Sequence, residues 1–164
     1  MKKLCLIMVF VLFLTGCAQQ TFETVSDVLD VPAMAQPQQL ELALPEEAAA
    51  QSMESSDGTL YLCDGYSLTV QTMEAGDLDR TLRQCTGFAK DQLTVMETQQ
   101  NGIKRYDCVW SAAGEGGDQV GRAAVLDDGS YHYVVTVMAD FAAAGDLADT
   151  WEEILDSVTL RNTD

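Results

Sequence analysis

The chain has 164 residues, 9 Lys+Arg against 26 Asp+Glu, a formal net charge of −17, and 47% hydrophobic residues. So acidic a surface repels nucleic acid and anionic lipid headgroups, which excludes binding to either through charge. The hydrophobic share is that of a chain with a globular core.

The first element is a leader. Lys2 and Lys3 precede an apolar run from Leu4 to Leu14, LCLIMVFVLFL, which ends in Thr15, Gly16 and Cys17. A membrane span needs about 20 apolar residues, so this run is too short to be one. Positive start, short apolar core and small-residue exit predict a secretory signal peptide over residues 1–16. The quartet L-T-G-C resembles the lipobox of bacterial lipoproteins. The resemblance implies cleavage between Gly16 and Cys17 and a diacylglyceryl group on the Cys17 sulfur. Two acyl chains on one residue meet the requirement for stable anchoring, at about 0.8 kcal/mol per buried CH₂. The implied location is the extracytoplasmic face of a cell membrane, with the membrane itself as one partner. Without residues 1–16, 7 Lys+Arg face 26 Asp+Glu, a balance of −19.

Residues 17–58 read as the lipidated cysteine and an acidic, flexible linker. Residues 18–58 hold eight acids, no Lys or Arg, and all three prolines, Pro32, Pro37 and Pro45. That composition favours a disordered tether. Within it Phe22, Val25, Val28 and Leu29 recur at nearly helical spacing, which allows a short transient helix ahead of Pro32 and a docking peptide as the sharper reading, with plain tether favoured over it.

Residues 59–164 form the expected globular domain. TLYLC and YSLTVQT predict two strands around Asp64-Gly65, a hairpin dipeptide. AGDLDRTLRQCTG predicts a helix with Asp77 as N-cap, Leu78, Leu82 and Cys85 on one face, and Gly87 at its end. LTVMET and IKRYDCVWSA flank Asn101-Gly102, a hairpin signal. Tyr106, Cys108 and Trp110 share one face of the second strand, Arg105 and Asp107 the other. GEGGD predicts a turn, QVGRAAVL a strand, DDGS a turn, and YHYVVTVMA the longest strand. Both faces of that last strand are mostly apolar, which places it centrally with helices packed on the sheet. Leu147, Trp151, Ile154, Leu155 and Val158 then form the stripe of an amphipathic helix, with Asp146 as the expected cap. Glu152 and Glu153 are expected near its N-terminus, where the helix dipole favours them.

These elements predict an α+β fold: one domain, a mainly antiparallel sheet flanked by two helices. The order of elements, with YHYVVTV leading to a helix that ends ILDSVTL, resembles the PsbP-like fold, above all the DcrB-like class of bacterial lipoproteins. The sequence DGYSL stands where that family carries an aromatic P-x-G-W-like entry. The resemblance implies an assembly, binding or accessory role and no invariant catalytic motif.

The candidate chemical groups are few. His132 is the sole histidine and lies close to Asp127 and Asp128, a set that could hold a metal, but DDGS between two strands needs only turn chemistry to explain it, and that reading is preferred. No G-x-S-x-G or H-E-x-x-H occurs, so no catalytic residue, metal site or cofactor is expected. The alternative is a cell-surface enzyme using carboxylates or His132. Cys63, Cys85 and Cys108 allow one disulfide, with the pairing open, or three buried thiols. Arg105 and Arg122 are cations in an acidic domain, able to hold an acidic partner or to pair with nearby carboxylates. The overall expectation is a lipid-anchored binding or accessory protein with an envelope protein partner.

Overall fold

The computed structural model describes residues 36–114 and 117–161. All of them fall in the second of the two units into which the chain divides, Ala35–Asp164. The expected leader, Gly16, Cys17, residues 22–29 and the expected linker as far as residue 35 lie outside the described residues, as do Glu115 and Gly116 of the expected GEGGD turn.

The elements in order are β1 (Gln39–Glu41), α1 (Glu46–Ala50), β2 (Ser52–Ser55), β3 (Gly58–Leu62), β4 (Tyr66–Glu74), α2 (Leu78–Thr86), β5 (Thr94–Gln100), β6 (Ile103–Gly114), β7 (Gly117–Asp127), β8 (Tyr131–Asp140), α3 (Phe141–Ala144), α4 (Ala148–Asp156) and β9 (Thr159–Arg161). Strands β2 to β8 make one antiparallel sheet in the order β2-β3-β4-β8-β7-β6-β5. Local turn chemistry sets most of this register. Asn101 and Gly102 both take positive φ, 53° and 83°, which a tight two-residue hairpin needs, and the register closes with Gln100 opposite Ile103.

Strand β8 lies in the middle, as its two apolar faces require. Tyr133, Val135, Val137 and Ala139 point to one side, where Trp151, Ile154, Leu155 and Val158 cover them from α4 and its C-terminal end. Val134 points to the other side with Ala123, Val125, Cys108 and Trp110, under Leu82 of α2. Full burial of a large apolar side chain contributes about 1.5–3 kcal/mol, so Trp151 and Leu82 fix the two helices to opposite faces. The result is the expected sandwich of helix, sheet and helix.

α2 forms as its caps predict. Asp77 accepts the Asp79 N–H at 3.1 Å, and Gly87 ends the helix at φ 82°, donating its N–H to the Arg83 carbonyl. α4 starts differently. Leu147, not Asp146, is its N-cap, with no side-chain cap. The short helix α3 runs into a turn at Asp146, whose N–H goes to the Ala143 carbonyl, and the Leu147 carbonyl then accepts from Trp151. The first-turn acid is accordingly Asp149, while Glu152 and Glu153 sit mid-helix.

The folded part also begins earlier than residue 59. Leu40, Leu42 and Leu44 pack against the α4-side core, and β1 pairs with β9, Leu40 opposite Leu160. Ala48 of α1 is fully buried, and β2 adds the outermost strand beside β3. Residues 36–58 therefore belong to the domain and not to the linker.

Candidate functional site

His132 is 2% exposed and sits on the α2 side of β8. Its Nδ1 lies 2.7 Å from Thr81 Oγ1, and its Nε2 faces Asp127 Oδ2 at 3.8 Å. Hydroxyl, imidazole and carboxylate thus stand in the order of a nucleophilic triad. Their setting differs from one. Thr81 is 4% exposed, its backbone N–H is committed to the Asp77 carbonyl, and 3.8 Å is beyond hydrogen-bond length. The pair satisfies two buried polar groups and braces α2 against the sheet. A cleft of about 430 Å³ opens beside it, lined by Glu74, Asp77, Arg80, Thr81 and Gln84.

Asp127 and Asp128 do different work. Asp127 accepts the Gly129 N–H at 2.8 Å. Asp128 accepts the N–H groups of Ser130 and Tyr131, the Tyr133 hydroxyl and the Gln38 amide. Burial opposes its charge, yet these four donors outweigh it and hold the Asp128 carboxyl below the usual carboxylate range. Tyr133 faces the α4 side and His132 the α2 side, so Asp128 is drawn away from the histidine. Among the described residues no three His, Cys, Asp or Glu side chains converge as a metal site would require.

Cys63, Cys85 and Cys108 are unbonded thiols. Cys63 packs in the α4-side core, whereas Cys85 and Cys108 share the α2-side core, so the sheet separates the first from the other two. Burial pushes Cys85 up to about 12 and Cys108 up to about 11, which keeps both protonated and unreactive near neutral pH.

Arg105 and Arg122 come together on one face, and around them lies the most distinctive surface of the domain. The register places Thr94, Val109, Arg122 and Val137 in a row across β5, β6, β7 and β8. α4 covers the β4, β8 and β7 end of such rows and stops there. Away from Ile103, which packs against the α4-side core, the β5–β6 half is open: Met96 is 61% exposed and Val109 51%. Two adjoining hollows of about 390 and 210 Å³ mark this groove, with Asp156 and Leu155 of α4 on one wall and Thr94, Met96, Thr98 and Gln100 of β5 on the other. Sequence reasoning missed Met96 and Val109, whose outward position follows only from where α4 ends.

The groove's charges are ordered. Arg105 grips Asp107 with Nε and Nη2, at 2.8–3.0 Å, and reaches Asp156 at 3.8 Å. Those bonds to Asp107 push its guanidinium above the ordinary range, against the effect of burial. Arg83 and Arg161 are likewise paired, with Asp79 and Glu41. Arg122 has no carboxylate within ion-pair distance among the described residues. It is a free cation beside an exposed apolar patch.

No family model matches the chain, and no curated protein sequence matches it. Solved structures do. CyanoP, the cyanobacterial PsbP of Synechocystis sp. PCC 6803, superposes with a TM-score of 0.51 at 10% identity, over 79% of this chain and 96% of that one. LpqN of Mycobacterium tuberculosis, involved in cell envelope biogenesis, gives 0.50 at 14% identity, over 77% and 86%. A Bacteroides thetaiotaomicron protein gives 0.50 at 11% identity, over 75% of this chain and 45% of its own. The fold is therefore PsbP-like.

Proposed function

We propose that this is an extracytoplasmic binding or accessory module, held to a membrane by lipid on Cys17 and carrying no catalytic chemistry of its own. The observation that carries the binding role is the half-covered sheet face, where Met96 and Val109 lie open beside Arg122, which has no ion-pair partner among the described residues. A monomer gains nothing from exposing these apolar side chains together; contiguous exposed apolar surface marks interaction sites. The anchor rests on L-T-G-C at residues 14–17. The fold shared with LpqN, a protein of cell envelope biogenesis, supports an envelope setting. The mechanism is local concentration: an anchored domain meets a membrane-associated partner in a thin layer, which raises the encounter frequency without new contacts.

Mass spectrometry of the mature protein from cells, together with membrane fractionation, tests this. The expected amino terminus is Cys17 with added acyl mass, and the Cys17→Ala form is expected in the soluble fraction. A different amino terminus without acyl mass, or a Cys17→Ala form that stays with the membrane as before, overturns the anchor.

A further inference from the structure

We infer that the open β5–β6 half of the α4-side face is the docking site for one helix of another polypeptide, a helix with a carboxylate inside its apolar stripe and basic residues along one flank. This inference rests on the reading of the domain as a partner-binding module and names the partner's chemistry.

Dimensions come first. Neighbouring strands lie about 4.8 Å apart, so β5 and β6 offer a strip about 10 Å wide, the diameter of a single helix with side chains. α4 already forms one wall of that strip through Leu155 and Asp156. A second helix beside α4 would complete the layer over the sheet.

Charge selects the occupant. At the inner edge of the strip, on β7, stands Arg122, next to Val109 in register and unpaired among the described residues, while the nearby Asp107 is held by Arg105. The wall is acidic: Asp156 lines the groove, and helical spacing places Glu152 on the same flank of α4 as Asp156 and Leu155. A partner helix therefore fits with a carboxylate over Arg122, apolar side chains over Met96 and Val109, and Lys or Arg toward Glu152 and Asp156. A bidentate carboxylate–arginine contact also fixes register.

Two other occupants fit less well. An added strand would pair along the free edge of β5 and leave Val109 and Arg122, one and two strands inward, uncovered. A second copy of this chain, itself at −17, would bring acidic surface to an acidic wall; its α4 carries Asp149, Glu152, Glu153 and Asp156.

The test uses the full-length chain in cells of its native host, with a photo-crosslinking residue placed at Val109, or at Met53 and Leu62 near the opposite edge of the sheet as comparators. The expected result is adducts from position 109 to an amphipathic helical segment with the stated charge pattern. Arg122→Glu is expected to lower their yield about tenfold or more, with an unchanged melting temperature; Arg122→Gln serves if that variant folds poorly. Adducts only from positions 53 or 62 overturn the groove and leave the binding role standing. Adducts from 109 to an extended segment or to a second copy overturn the helix. Yields indifferent to Arg122 overturn the charge match. No adducts at any position overturn the binding role as well.

Discussion

Tyr133 donates its hydroxyl hydrogen to Asp128 Oδ2 at 2.9 Å and accepts the Gln38 N–H at 2.8 Å, so one phenol ties the central strand, its entry turn and the N-terminal segment together. Burial, reinforced by Asp128, pushes Tyr133 up to about 12, and the hydroxyl stays protonated as this geometry requires. Tyr133→Phe keeps the ring in the core and strands both partners. The expected cost is about 1–2 kcal/mol in urea denaturation. Amide exchange at Gln38–Glu41 is expected to accelerate more than exchange at β7. Equal exchange in both forms would mean that Leu40, Leu42 and Leu44 hold the segment without the phenol.

Asp128 gives the domain a pH dependence of defined sign. Its folded-state carboxyl lies below the usual range, so its contribution is complete above the unfolded value of about 3.9 and is lost as pH falls through the folded value. Stability should decline below about pH 4 for this reason. Asp128→Asn is expected to be less stable at pH 7 by about 1 kcal/mol, since the site is partly solvated. Its denaturation midpoint should also change less between pH 5 and pH 3 than the parent's. Parallel pH curves for the two proteins would assign the acid sensitivity to other carboxylates.

Turn chemistry made the sheet's middle legible in the sequence, because Asn101-Gly102, Asp64-Gly65 and DDGS each join strands that are neighbours in space. The β1–β9 pair was not legible: Gln39 meets Arg161 across almost the whole domain, and no local signal encodes such a partner. The alternation of Leu40, Leu42 and Leu44 was present but masked by prolines and acids that read as linker. Asp146 looked like a cap because AGDL repeats the start of α2, yet the preceding turn of α3 moved the helix start onward. The candidate site was half visible. Arg105 and Arg122 stood out by charge, but their common face depends on the β6–β7 register, and its exposure depends on the width of α4's cover.

Gly121 is opposite Trp110 in the β6–β7 register, and the indole occupies the space a β-carbon would take there. Trp110 is 8% exposed and belongs to the α2-side core, so it has little room to yield. Gly121→Ala is expected to destabilise by about 1–3 kcal/mol through overpacking. Tryptophan fluorescence should shift as the indole is displaced. The double variant Gly121→Ala, Trp110→Leu should recover part of the loss caused by Gly121→Ala, measured against Trp110→Leu alone. Additive losses would show that the two positions do not compete for the same volume.

The three thiols should differ in reactivity by position. Cys63 is partly exposed; partial burial, with a smaller push from the Glu47 charge, raises its thiol, and the Tyr66 side chain opposes this. Cys108 is buried in the α2-side core and Cys85, on α2, packs partly buried against it; burial pushes them up to about 11 and about 12. Thiolate is the reacting species, so at pH 8 both are almost wholly unreactive even where a reagent could enter. Peptide-resolved labelling with iodoacetamide is expected to modify Cys63 first in the folded protein. Cys85 and Cys108 should react only as fast as the domain opens, and all three at similar rates in urea. Rapid labelling of Cys85 in the native state would mean that α2 detaches from the sheet on its own, and the Thr81–His132 brace would then be too weak to hold it.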